Sequence, residues 1–302
     1  MIRALRLPSV RRPLAALPAL GLLLCALVAC APAEPQASTE LQERIDRFTV
    51  AAAELFRDLQ VLPAGDDGTA ISVSARLPAS TDRARAAAVL AEQLDPAAGD
   101  RARIEVEREH GPAGSLELIA PVERPADTLR TLFAVLDRAP ARVASGYDTA
   151  SDEDPSSAPL AVIEVLPAQG AEGGAEAFRG LLEAWGQRTL PERHLLEVSA
   201  GEFSLRAAAE AVPTSTALAA RLLDSVPAAT PLARLRIVDQ PGPGRAPSVQ
   251  LGLHPDTPPE QAQAQAARID GLVVGHFAGA EHSLLVTLGE QTLVRRDPTS
   301  GA

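Results

Sequence analysis

The chain has 302 residues, with 28 basic residues, all arginine, against 39 acidic ones and a formal net charge of −11. Such a balance repels a phosphate backbone and argues against nucleic acid as a partner. The only cysteines are Cys25 and Cys30, so nothing beyond residue 30 can supply a disulfide, a thiolate zinc site, an iron–sulfur cluster or a thiol nucleophile.

Arg3, Arg6, Arg11 and Arg12 open the chain, and no acidic residue precedes Glu34. The apolar run Leu14 to Val28 is 15 residues long and is broken by Pro18 and Gly21. A spanning helix needs about 20 apolar residues, so the run fits the hydrophobic part of an export signal rather than a membrane span. It ends in Leu27-Val28-Ala29-Cys30, which resembles the lipobox of bacterial lipoproteins. That resemblance implies cleavage between Ala29 and Cys30, with the Cys30 thiol carrying diacylglycerol. Arg11-Arg12 leaves twin-arginine export open beside the general route. Two or three acyl chains, at about 0.8 kcal/mol per buried methylene, make attachment effectively permanent.

The resemblance places the protein on the extracytoplasmic face of a cell membrane. Ala31 lacks the aspartate signal for inner-membrane retention, so an outer membrane fits a two-membrane source. Residues 31–302 hold 24 arginines against 39 acids, a net charge of −15. The body as a whole therefore offers anionic lipid no polybasic attachment, and the lipid is expected to be the sole anchor.

Residues 30–39 read as a stiff Pro- and Ala-rich tether. Leu41, Ile45, Phe48, Ala52, Leu55, Phe56 and Leu59 recur at spacings of three and four, predicting a helix over Glu40 to Gln60. A strand at Ala70 to Leu77 follows, then a helix opened by Pro78 and Ser80, a strand at Arg103 to Glu109 and another at Ser115 to Ala120. Pro125 opens a helix carrying Leu129, Leu132, Phe133 and Leu136 inward, and Arg142 to Tyr147 closes the set.

The same β-α-β-β-α-β order returns: a strand at Leu160 to Leu166, a helix marked by Phe178, Leu181, Leu182 and Trp185, and a hairpin of His194 to Ser199 with Glu202 to Arg206. A helix from Pro213 and a strand at Leu232 to Val238 complete it. A partial third copy has a strand at Val249 to His254, a helix from Pro258 to about Leu272, and strands at Ser283 to Leu288 and Gln291 to Val294.

Residues 194–205 lie over 282–293 at an offset of 88, with His, Leu, Val, Gly, Glu and a final Leu in common. Pro167 and Pro255 share that offset, and Pro78 and Pro167 are 89 apart, which argues for internal duplication. Helix starts near 40, 81, 125, 172, 213 and 257 suggest a finer α-β-β unit of about 44 residues used six times. The expected fold class is α+β: tandem split β-α-β (ferredoxin-like) units, with antiparallel sheets and helices on one face. The corresponding divisions are a signal at 1–29, the tether, a helix plus first unit at 40–148, a second unit at 159–239 and a partial third at 247–296. The first helix is expected to pack on the last sheet or to cap the first.

No chemistry stands out. His276, Glu281 and His282 match no zinc pattern, and His282 occupies the strand-start place that His194 holds one copy earlier. Asp148, Asp152, Glu153 and Asp154 lack the glycine turn and closing glutamate of a calcium loop and read as a solvated run. Gly242-Pro243-Gly244 precedes a strand, and Pro243 removes a donor that a phosphate loop needs. No nucleophile elbow occurs, Trp185 belongs to an apolar stripe, and Tyr147 is the only tyrosine. No catalytic, metal or cofactor residues are assigned.

The expectation is a non-catalytic envelope lipoprotein acting as a scaffold or protein-binding module. Its partners would be the membrane, through Cys30, and another envelope protein. The alternatives are the solute-binding lipoprotein of a transporter and a hydrolase using carboxylates or a serine.

Overall fold

In the computed structural model the described residues are 39–298, except 66–67, 96–97, 119–124, 148–160, 169–173, 187, 193, 241–245 and 279. The signal, Ala29, Cys30, the acidic stretch 148–154 and the Gly-Pro-Gly stretch all lie outside them.

The chain enters as α1 (Thr39–Ala52), β1 (Arg57–Ala64) and β2 (Ala70–Leu77). Then come α2 (Arg83–Gln93), β3 (Arg101–Val106) and β4 (Gly114–Leu118), and α3 (Pro125–Arg138), β5 (Ala141–Tyr147) and β6 (Ala161–Pro167). The second half repeats the pattern with α4 (Ala175–Trp185), β7 (His194–Ala200) and β8 (Phe203–Ala208), and with α5 (Val212–Asp224), β9 (Leu232–Asp239) and β10 (Ser248–Leu253). The last unit is α6 (Pro259–His276), β11 (Ser283–Leu288) and β12 (Gln291–Arg296). The six-fold α-β-β reading is thus the arrangement seen.

All twelve strands form one sheet in which spatial order equals chain order. The two strands of each unit pair antiparallel, as β3 with β4, while strands joined by a helix pair parallel and directly, as Ser72–Leu77 with Arg101–Val106. This corrects the expected plan. A split β-α-β unit inserts another strand between the two that its helix connects, whereas here they are hydrogen-bonded neighbours. The expected antiparallel sheets are accordingly one mixed sheet. The stretches 40–148, 159–239 and 247–296 are joined edge to edge through β5 with β6 and β9 with β10.

Each helix of the described residues touches the next in series, so these six lie in one layer on one face. Alternation along the strands sends one side chain in two under that layer: in β3, Ala102, Ile104 and Val106 are buried while Arg101, Arg103 and Glu105 are exposed. Leucine, valine and alanine make up most of the core, with Phe48, Phe133, Phe178 and Trp185 fully enclosed among the helices.

Local chemistry fixes the ends. Asp82 caps α2 by accepting from the backbone N–H groups of Ala84 and Arg85 at 2.8 and 3.3 Å. Pro residues in the first turns of α5 and α6 lose no intrahelical bond. The predicted first helix stops at Ala52, because Leu55 and Phe56 are buried through a turn instead. Residues 57–64 leave as edge strand β1, bulged between Arg57 and Gln60, with Asp58 at φ 52°. Helix α1 packs on β1, β2 and α2, at the first end of the sheet.

One geometric consequence follows from a single helix layer. Parallel crossovers all advance the same way across the sheet, yet β2 and β4 run in opposite directions. Their connections through α2 and α3 therefore have opposite hands, and hand alternates along the chain, against the usual right-handed preference. Adjacent α-β-β units cannot superpose; units two apart can.

Candidate functional site: the helix-free face of the sheet

The face opposite the helices is covered by no helix among the described residues, and its side chains are mostly polar. Two open grooves lie on it. The first, about 770 Å³, runs over β1 to β4 and is lined by Asp58, Ser74, Arg76, Arg103, Glu105 and Glu117, among others. The second, about 340 Å³, is lined by Glu197, Glu202, Ser204, Arg206, Arg234 and Arg236, among others.

Strand register places the charges. In the first half Arg57 and Arg76 are paired across β1 and β2, Arg76 is beside Glu105, Arg103 opposes Glu117, and Ser115 faces Arg142. Arg76 reaches Asp58 at 3.3 Å and Glu105 at 3.4 Å, and Arg142 reaches Glu117 at 3.0 Å. Arg57, Arg101 and Arg103 are exposed and have no hydrogen-bond or ion-pair partner among the described residues.

The middle of the face is acidic, because Glu164 and Glu197 are neighbours on parallel strands. Like charges so placed repel, and Arg206 opposite Glu197 offsets this. Arg234 and Arg236 follow on β9, with Arg295 on β12 in the row of Leu285. Arg234 lies across Gly252, where an added Cβ would come within 2.8 Å of its Cγ, and its guanidinium is 3.4 Å from the Thr287 hydroxyl. Glycine here lets the arginine lie flat on the sheet.

The sequence candidates fall elsewhere. His194 and His282 make the same contact one copy apart: each Nδ1 lies near the carbonyl oxygen two residues earlier, Glu192 at 3.2 Å and Ala280 at 3.0 Å. A carbonyl only accepts, so Nδ1 carries the proton in both, and both Nε2 atoms are buried without a hydrogen-bond partner. These histidines mark strand starts, and each turns Nδ1 to its own backbone. His282 also stacks on Phe277, whose other edge meets His276, with ring centroids 5.3 and 4.5 Å apart. Burial pulls the His276 pKa below its ordinary value; Asp239 opposes the shift and Arg221 adds to it.

Asp239 also accepts a 2.5 Å hydrogen bond from Ser215 Oγ. A serine, an aspartate and a histidine thus come near one another, which spacing in the sequence did not reveal. The serine is fully buried and its proton points at the carboxylate rather than at an imidazole, so the group is built to hold α5 on β9 and not to attack a substrate. Trp185 is fully buried, which removes it as a sugar platform. His110 is exposed in its turn. Among the described residues no three His, Cys, Asp or Glu side chains converge on a metal position, and no helix is long and apolar enough to cross a membrane.

What fold and face define is an α-β-β repeat protein with one helical layer and one open, charge-patterned sheet surface. Comparison with family models, curated proteins and solved structures finds no match for the chain.

Proposed function

We propose that the protein is a lipid-anchored envelope component that binds another protein through the helix-free face of its sheet, acting as a scaffold and not as a catalyst. The observation that carries this reading is the exposed twelve-strand face itself: a broad polar surface, with arginines left unpaired among the described residues. Both grooves lie open on that face, which favours a macromolecule over an enclosed solute. The lipobox residues support the anchoring half of the reading.

A photo-crosslinking residue at Ser74 or Ser204, on the free face, should capture one discrete partner in intact envelopes, while the same residue at Arg47 on α1 should not. Equal capture at both places would remove the face as the site. Cys30→Ala should move the protein out of the membrane fraction, and retention there would remove the lipid anchor.

A further inference from the structure

The helix-free face carries a small surplus of arginine, with several arginines unpaired among the described residues, on an otherwise acidic body. The strands of this face hold nine arginines against five carboxylates; Glu107 and Asp297, which pair with Arg76 and Arg295, and Glu202 in the second groove bring the face to +1, within a body whose residues 31–302 sum to −15. The surplus is not visible along the chain, because in strands such as β3 and β9 charged and apolar residues alternate and the charges gather on one face only when the strands pair.

We infer that this face is a docking surface for an acidic polypeptide, so the partner proposed above is one that presents clustered Asp and Glu side chains to the unpaired Arg101, Arg103 and Arg236. The inference rests on that reading of the face as a protein-binding site. Long-range repulsion by the −15 body does not defeat it. Helix-layer charges stand about 10 Å behind the sheet, roughly one Debye length at physiological salt, so an approaching surface experiences the near charges most strongly.

Shape selects a polypeptide over a lipid surface. Neighbouring strands rotate by roughly 20–25°, so the six steps from β3 to β9 accumulate roughly 120–150°. A flat bilayer cannot meet Arg103 and Arg236 together, whereas a chain following the twist can. Arginine suits the task, since its planar guanidinium takes a carboxylate through two parallel hydrogen bonds. The acidic pair Glu164 and Glu197 lies between the two groups of arginines, so an acidic segment engages one group at a time.

Fluorescence anisotropy of the purified full chain with labelled poly-L-glutamate tests this, with phosphatidylglycerol vesicles as the second arm. The expected result is binding to poly-L-glutamate that weakens as salt is raised and is at least about tenfold weaker in Arg101→Glu/Arg103→Glu. Both side chains are exposed and unpartnered among the described residues, so the fold should survive, and a thermal melt checks it. The control Arg47→Glu/Arg221→Glu carries the same charge change on the helix side and should bind as the unmodified chain does. Absence of binding at low salt, equal weakening by the two double variants, or binding to vesicles in place of poly-L-glutamate would each overturn the inference. If poly-L-glutamate fails while the Ser74 crosslinker still captures a partner, the charge assignment falls and the docking face stands. If both fail, both fall.

Discussion

Asp100 is the residue whose loss should cost this fold most for its size. Its carboxylate is fully buried and accepts from the Ile71 N–H at 2.8 Å, the Asp95 N–H at 2.7 Å and the Arg44 guanidinium at 2.6 Å. Arg44 also donates to the Thr69 carbonyl at 2.8 Å, so one side chain ties α1, the start of β2 and the loop before β3 together. Asp100→Ala strands a buried backbone donor and leaves a cation that is only 18% exposed without its counter-charge. Removing one member of a buried pair costs about 3–5 kcal/mol, and hydrogen bonds to charged groups contribute about 1.5–3 kcal/mol each. The expected loss is therefore about 3–5 kcal/mol, or about 6–20 °C in melting temperature for a body this size. Urea unfolding followed by circular dichroism measures it. Arg44→Leu in the same background should add little, because the stranded cation goes with it. A single-variant loss below about 1 kcal/mol, or full additivity of the two changes, would refute the hub.

Two further outcomes follow from the described contacts. His276 has its pKa lowered by burial, so below its ordinary 6.5 the unfolded chain binds more protons than the folded one. Stability should then fall as pH drops from about 6.5 toward the folded value and be level above it, and His276→Gln should flatten that part of a pH–stability curve. At Gly252, alanine should be close to neutral in the native background, because Arg234 must leave the sheet. In an Arg234→Ala background the same change should stabilise by about 0.5–1 kcal/mol, which a double-mutant cycle of melting curves would show.

Much of the fold was legible because strand and helix periods differ and each unit restates them. The strands predicted at Ser283 to Leu288 and Leu232 to Val238 match the observed elements to within a residue. β1 was missed because Leu55, Phe56 and Leu59 extend the helical spacing of α1, while the buried turn at Leu55 and Phe56 is set by packing on neighbouring elements. Strand order was not legible: alternation says which face a side chain takes but not which strand lies beside it. The same ambiguity hid the candidate site. Arg103, Glu117 and Arg142 are widely spaced in sequence, and only the register β3–β4–β5 brings them together.

The alternating hands would give an offset of 88 rather than 44 residues a structural reason. An α-β-β unit of about 44 residues is the visible brick, yet its neighbour runs the other way with a crossover of the opposite hand. Residues fitted to one unit, such as the strand-start His194, are suited to the unit two places on, where His282 stands, and not to the next one. This predicts unequal tolerance to deletion. Removing 161–248 takes out 88 residues and brings 249 to follow 160, so β10 replaces β6 against β5 in the same direction and hand. Removing 212–253, one unit alone, leaves α6 to connect β8 with β11 by a crossover of the hand its sequence does not encode. The first shortened protein should melt cooperatively, with circular dichroism close to that of the full chain. The second should lose its cooperative transition, or expose apolar surface to a hydrophobic dye. If both melt alike, the doubled unit is not the unit of folding, and the 88-residue period reflects ancestry without structural constraint.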